Sequence, residues 1–263
     1  TGALIAPDFF APPQYLGLGR SNGFLLRSNW ASSTYHGLQA NYRRRMSKGI
    51  LVNAAYTWSK TLDNISSDNA VVEHNSRNIA GNRGVADFDR THRLTAQYVI
   101  DLPSPIRNQD LKAAVFLLGG WSLNGGLTLQ SGAPFTVIGG ATANAYFAQV
   151  ARVRPNIASG KTLDDVIKTG RVQDRLTQFF DPTAFSNSED KWGNLGRNIL
   201  RGPAQRQVDV ALAKNNRISE RFSAEFRWEM FNLLNQATFA NPNSTLPVSG
   251  VGNMGLITAT IGG

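Results

Sequence analysis

Few residues in this chain have the type and spacing that chemistry demands. Its soft-metal ligands are three histidines, His36, His74 and His92, with no cysteine. No two of these histidines stand at the short spacing that brings two ligands to one ion, so no metal site is expected. Ser159-Gly160-Lys161-Thr162 has the ending of a phosphate-binding loop, but Pro155 stands where that loop needs a glycine. There is no Gly-x-Ser-x-Gly elbow to hold a nucleophile. Two carboxylate pairs remain. Asp87 and Asp89 are followed by Arg90 and Arg93, which favours a charge-neutralised loop anchor over acid–base work. Glu225 and Glu229 alternate with Arg227, a spacing at which opposite charges relieve one another on one strand face. The expectation is a protein that is not an enzyme, with no catalytic residue, cofactor or metal.

What must position these side chains is a set of strands, because hydrophobicity repeats with a period of two. In Ile50–Ser59, Ile50, Val52, Ala54, Tyr56 and Trp58 fall on one face, against Leu51, Asn53, Ala55, Thr57 and Ser59. In His92–Asp101, Leu94, Ala96, Tyr98 and Ile100 oppose Arg93, Thr95, Gln97, Val99 and Asp101. In Trp121–Gln130, Trp121, Leu123, Leu127 and Leu129 oppose Ser122, Asn124, Thr128 and Gln130. Arg221–Met230 is the sharpest case: Phe222, Ala224, Phe226, Trp228 and Met230 oppose Arg221, Ser223, Glu225, Arg227 and Glu229. Helical spacing would mix these sets, and a strand separates them. Ser33–Arg43 and Gln205–Lys214 give two weaker strands, with Tyr42 and Val208 on apolar faces and Gln39, Asn41 and Asp209 opposite.

Each strand has about ten residues, reaching roughly 33 Å, or about 23 Å when tilted near 45°. That matches the apolar band of a membrane barrel, whereas strands in soluble domains are more often about 5–6 residues. Glycine (25 residues) and aromatics (10%) suit strands and turns. The net charge of +9 is scattered along the chain, with one dense run at Arg43-Arg44-Arg45. It is read as a solvated turn beside a charged membrane surface, and no nucleic-acid partner is expected. No apolar run approaches the roughly 18–20 residues of a membrane helix. Connections alternate: Arg44 to Gly49 and Asn215 to Glu220 are short, Leu102 to Gly120 is intermediate, and Lys60 to Thr91, Ser131 to Ala204 and Phe231 onward are long. Short turns on one side and long loops on the other suit a periplasmic and an extracellular end. A short helix is predicted inside the longest loop, over Thr162–Phe179.

Several stretches, taken in order, resemble TonB-dependent receptors of the Oar-like, carboxypeptidase-regulatory-domain type. They are Tyr35-His36-Gly37-Leu38-Gln39, Tyr56-Thr57-Trp58-Ser59-Lys60-Thr61-Leu62-Asp63, Asp87-Phe88-Asp89-Arg90-Thr91-His92-Arg93, Gly120-Trp121-Ser122-Leu123, Gln130-Ser131-Gly132-Ala133-Pro134-Phe135 and Glu229-Met230-Phe231-Asn232-Leu233-Leu234-Asn235. The resemblance spans roughly residues 25 to 260. It implies a barrel of about 22 strands, an N-terminal plug, and uptake driven by the TonB system of the inner membrane. The plug and the last barrel strand are expected to lie outside this chain, with Met254–Thr260 resembling the stretch just before that strand.

The expectation is therefore a single region: an all-β antiparallel meander of six long strands, an open, curled part of an outer-membrane barrel. Gln39, Asn41, Asn53, Thr57, Thr95, Gln97, Asn124, Thr128, Gln130, Asp209, Glu225, Arg227 and Glu229 are expected to line the lumen. Tyr42, Tyr56, Trp58, Tyr98, Trp121, Phe222, Phe226 and Trp228 are expected to face lipid and its headgroups. Expected partners are outer-membrane lipid, the TonB system through the plug, and a polar solute such as a glycan fragment or peptide. The alternatives are a structural or adhesive outer-membrane barrel and a soluble carbohydrate-binding β-sandwich.

Overall fold

A computed structural model describes residues 30–66, 78–106, 111–140, 153–187 and 192–261. His74 lies outside the described residues. In chain order the strands are β1 (Ser33–Ser47), β2 (Ile50–Asp63), β3 (Gly84–Val85), β4 (His92–Asp101), β5 (Trp121–Gln130), β6 (Pro134–Phe135), β7 (Asn156–Ile157), β8 (Phe185–Ser186), β9 (Leu200–Arg201), β10 (Gln205–Arg217) and β11 (Ser223–Met230). The long strands form one antiparallel meander, β1-β2-β4-β5-β10-β11, with β3 paired on β2. The sheet is open, as the sequence predicts, and β1 and β11 are its edges.

Register decides whether the two-face pattern survives from strand to strand, since a slip of one residue turns a strand over. It survives across the meander, with Lys214 on the apolar face and Val99 on the polar face as exceptions. Tyr42 opposes Ala54, Ala54 opposes Ala96, Ala96 opposes Leu127, and Leu127 opposes Val208. Three rows along, Gln39 opposes Thr57, Thr57 opposes Arg93, Arg93 opposes Gln130, and Gln130 opposes Gln205. Residues directly opposite share a face, so in these rows apolar stays with apolar and polar with polar.

Strand ends differ from expectation for local reasons. The first short turn is Lys48-Gly49 alone, not Arg44 to Gly49. Both residues are left-handed (φ 52° and 71°), the geometry of a two-residue hairpin turn that favours glycine. β1 reaches it through an irregularity between Arg44 and Ser47. β2 continues past Ser59 to Asp63, and β10 continues to Arg217. β11 begins only at Ser223, which leaves Arg221 and Phe222 in the turn. There the Phe222 carbonyl accepts from the amides of Ile218 and Ser219, and the Ser219 hydroxyl accepts from those of Arg221 and Phe222. His36 lies inside β1 opposite Lys60.

The predicted helix over Thr162–Phe179 is broken. A single turn, Leu163–Val166, is capped by Thr162 and Asp165, which bond each other's backbone. Ile167 then turns extended and pairs with Phe180, Gly170 is left-handed, and a 3₁₀ turn follows at Val172–Arg175. Of the apolar residues that suggested a helix, Val166 enters a separate small core and Val172 and Leu176 pack against it, while Leu163 and Ile167 stay exposed. Val166, Phe179, Phe180, Phe185, Leu195 and Leu200 pack there with Leu246, Met254 and Ile257 from the chain's last described segment. A seven-residue helix, α1 (Lys112–Leu118), forms in the connection between β4 and β5.

Much of the apolar face of the sheet is uncovered among the described residues, although Lys214 on it is buried. Leu38, Tyr42, Phe226 and Trp228 on it are each more than half exposed. A β-sandwich requires that face to pack on a second sheet, but the remaining sheets are two-stranded, β6-β9 and β7-β8, within the loop body. The sandwich alternative does not describe this chain.

Candidate functional site

The predicted lumen residues fall together on one face of the sheet. Asn41, Arg43, Asn53, Thr95 and Gln97 line a concavity of about 350 Å³ across β1, β2 and β4. Asn124 opposes Val99 and Ala211, and Thr128 opposes Thr95 and Gln207. Asp209 accepts from the Gln207 side chain at 2.9 Å and from the Asn232 amide at 2.8 Å. On β11 the Arg227 Nε stands 2.6 Å from the Glu229 carboxylate, and Glu225 opposes Asn215. Gln130 donates to Gln205 across the strand pair. The residues predicted to face lipid fall on the other face, from Tyr42 to Trp228, except Phe222 in its turn.

At the long-loop end the polar face is closed. Ser59, Thr61 and Asp63 continue the Thr57 side of β2 beyond the expected strand end, and all three are buried. Arg197 covers them. Its Nη1 lies 2.6 Å from Asp63 Oδ1 and its Nη2 lies 3.1 Å from Asp87 Oδ1. Asn198 donates to the Val85 carbonyl and to Asp87 through Nδ2, and its carbonyl oxygen Oδ1 accepts from the Thr136 hydroxyl. Asp89, fully buried, accepts from the Thr61 amide at 2.7 Å and from Arg201 Nη2 at 2.5 Å. The 197–201 segment is thus tied to the 84–89 turn and to the end of β2.

This clasp supports the sequence reading of Asp87 and Asp89 as a charge-neutralised anchor, with a correction. The cations are Arg197 and Arg201, from more than a hundred residues downstream, rather than Arg90 and Arg93. Arg90 donates to the Asp89 carbonyl. Burial, and then the charge of Arg201, hold Arg90 below the usual arginine range, while Asp89 acts in the opposite direction. Asn82 joins the same body through Arg154, whose Nη1 donates to Asn82 at 3.1 Å and Nη2 to the Gly81 carbonyl at 3.0 Å.

In the loop body, the carboxylates of Asp165 and Asp181 have lowered pKa. Asp165 is lowered first by its bond from the Thr162 amide, then by the Thr162 hydroxyl. For Asp181 burial acts to raise the pKa, but the Thr183 hydroxyl and amide, with Lys161 and Lys168 nearby, leave it lowered. Lys161, the lysine of the discarded phosphate-loop resemblance, stands 3.9 Å from Asp181.

Arg197, Asn198 and Arg201 were not singled out from the sequence, and Asp63 entered only as the last residue of the Tyr56–Asp63 stretch. Asp63 was within reach of the period-two rule, because it continues the odd-numbered face of β2. Arg197 and Arg201 carry no such local signal, since their partners are remote.

A long-stranded antiparallel meander with one bare apolar face and one polar face defines an outer-membrane β-barrel wall. A family model described as "Outer membrane beta barrel domain" matches residues 10–263. The chain belongs to that family, and its place is the bacterial outer membrane. No curated protein and no solved structure matches it.

Proposed function

We propose that this chain forms barrel wall and ligand-capturing loops of a TonB-dependent receptor that takes up a polar solute such as a glycan fragment or peptide. The observation that carries the reading is the clasp. A loop body with its own core is fixed over the polar face of the wall by ion pairs, of which Arg197–Asp63 is buried, which suits a gate or capture surface above a lumen. Motifs that resemble the receptors meet there: Asp63, the 87–89 turn, and Gly132, whose carbonyl accepts from Arg201.

In this reading the apolar face meets lipid and the polar face lines a wet lumen. The concavity around Asn41, Arg43, Asn53, Thr95 and Gln97 offers amide and guanidinium donors to hydroxyl or carboxylate groups. Energy coupling runs through a plug, and the wall itself does no catalysis.

The test is accumulation of labelled oligosaccharides and oligopeptides by cells carrying the full-length protein, with and without a working TonB system. Uptake that requires TonB and falls on deletion of residues 153–187 is the expected result. Surface binding without accumulation in either background would favour the structural or adhesive barrel instead.

A further inference from the structure

Lys214 is an anomaly on the apolar face. Its register places it between Trp121 on β5 and Phe226 on β11, and both edges of that row are aromatic. Yet Lys214 is buried while Phe226 beside it is 60% exposed. What covers the lysine is α1. Its Nζ donates to the Gly119 carbonyl at 2.5 Å, 5.2 Å from the Trp121 ring centroid and 6.0 Å from that of Phe116. The Trp121 indole N–H donates to the Leu117 carbonyl at 3.3 Å. The helix is therefore fastened to the apolar side of the sheet, at the end carrying the short turns.

The helix has no internal reason to persist. A seven-residue helix is far below the length that is stable alone in water, and no residue of α1 is buried. Instead it displays Leu111, Phe116, Leu117 and Leu118, each at least half exposed. This apolar patch is continuous with the band through Trp121, Phe226 and Trp228. A short apolar helix at the edge of such a band, backed by an aromatic-boxed ammonium, has the character of an interfacial element.

We propose that α1 is an anchor lying in the headgroup–acyl boundary of the phospholipid leaflet at the short-turn end, with Leu111, Phe116, Leu117 and Leu118 in lipid and Lys214 at headgroup level. This rests on the reading that the apolar face meets lipid.

These 263 residues hold no cysteine, so with any cysteine elsewhere in the full-length protein replaced by serine, single spin labels are clean reporters. The full-length protein is folded into vesicles of phosphatidylethanolamine and phosphatidylglycerol, labelled at Leu117→Cys, Leu127→Cys or Glu220→Cys. Leu127 samples the middle of the band and Glu220 the turn at the same end as α1. Collision with oxygen should exceed collision with a water-soluble nickel chelate at Leu117 and Leu127, with the reverse at Glu220. If Leu127 is lipid-like but Leu117 behaves like Glu220, the anchor is wrong and the band stands. Shelter of Leu117 from both reagents would mean a protein covers the helix, which also overturns it. Water-like behaviour at Leu127 would remove the reading of the sheet itself.

Discussion

The Arg197 guanidinium and the Asp63 carboxylate meet 2.6 Å apart, with 4% and 2% of their side chains exposed. Two charges so far out of water are stable only as a pair, and removing one strands the other. Arg197→Ala or Asp63→Ala should each weaken the hold of the loop body on the wall by about 3–5 kcal/mol. Arg197→Met with Asp63→Leu should cost less than either single change, because no buried charge is left alone. Hydrogen exchange of the Asn198 and Ala86 amides, compared across the four proteins, reads the difference.

A charge on the apolar face should cost according to depth. From sequence, Phe226→Arg is expected to impair membrane insertion, by about 2–4 kcal/mol if the site is near the midplane. Its row, however, contains Trp121 and Lys214 and lies near the short-turn end, so the expected cost is only about 0–1 kcal/mol. Leu127, between Ala96 and Val208, sits nearer the middle, and Leu127→Arg should cost about 2–4 kcal/mol. Glu225→Arg, on the polar face, should be nearly neutral. Denaturant titration of the folded protein in lipid orders the three.

Gly132 joins β5 to the loop body at a point where a β-carbon would overlap the Gly202 carbonyl. That backbone bonds back, since the Gly202 amide donates to the Ala133 carbonyl at 2.9 Å. Gly132→Ala should part β6 from β9 at a cost of about 1–3 kcal/mol. Faster limited proteolysis between 153 and 187, with the barrel band intact, is the expected readout.

Acid should loosen the loop body before it touches the wall. Asp165 and Asp181 bind protons less readily when folded than when free. The unfolded loop therefore takes up protons first as pH falls, and the stability these groups supply is present above the ordinary carboxylate pKa of about 3.9 and lost below it. Protease sensitivity of the 162–183 region should rise below about pH 4. Asp165→Asn should show a smaller rise, since one of the two groups no longer titrates.

The wall was legible because its signal is local. Period two in Ile50–Ser59 and Ser223–Met230 needs only neighbours, and the register then carries it across six long strands. Strand ends were less legible. Lys48 gives no hint of left-handed backbone, and only the hairpin demands it. The loop body was misread where its order comes from distant contacts. Leu163, Val166 and Leu176 have helical spacing, but Val166 is drawn into a core with Phe180 and Leu246. The clasp was half legible: Asp87 and Asp89 drew attention, while Arg197 and Arg201 could not be matched to them without the fold.

The central claim is that one face of this sheet meets lipid and the other meets water. A cysteine scan of β5 from Leu123 to Gln130, in cells carrying the full-length protein and probed with a membrane-impermeant maleimide, tests it most directly. Labelling should rise at Asn124, Thr128 and Gln130 and fall at Leu123, Leu127 and Leu129. Even labelling along the strand, or the opposite phase, would contradict the account.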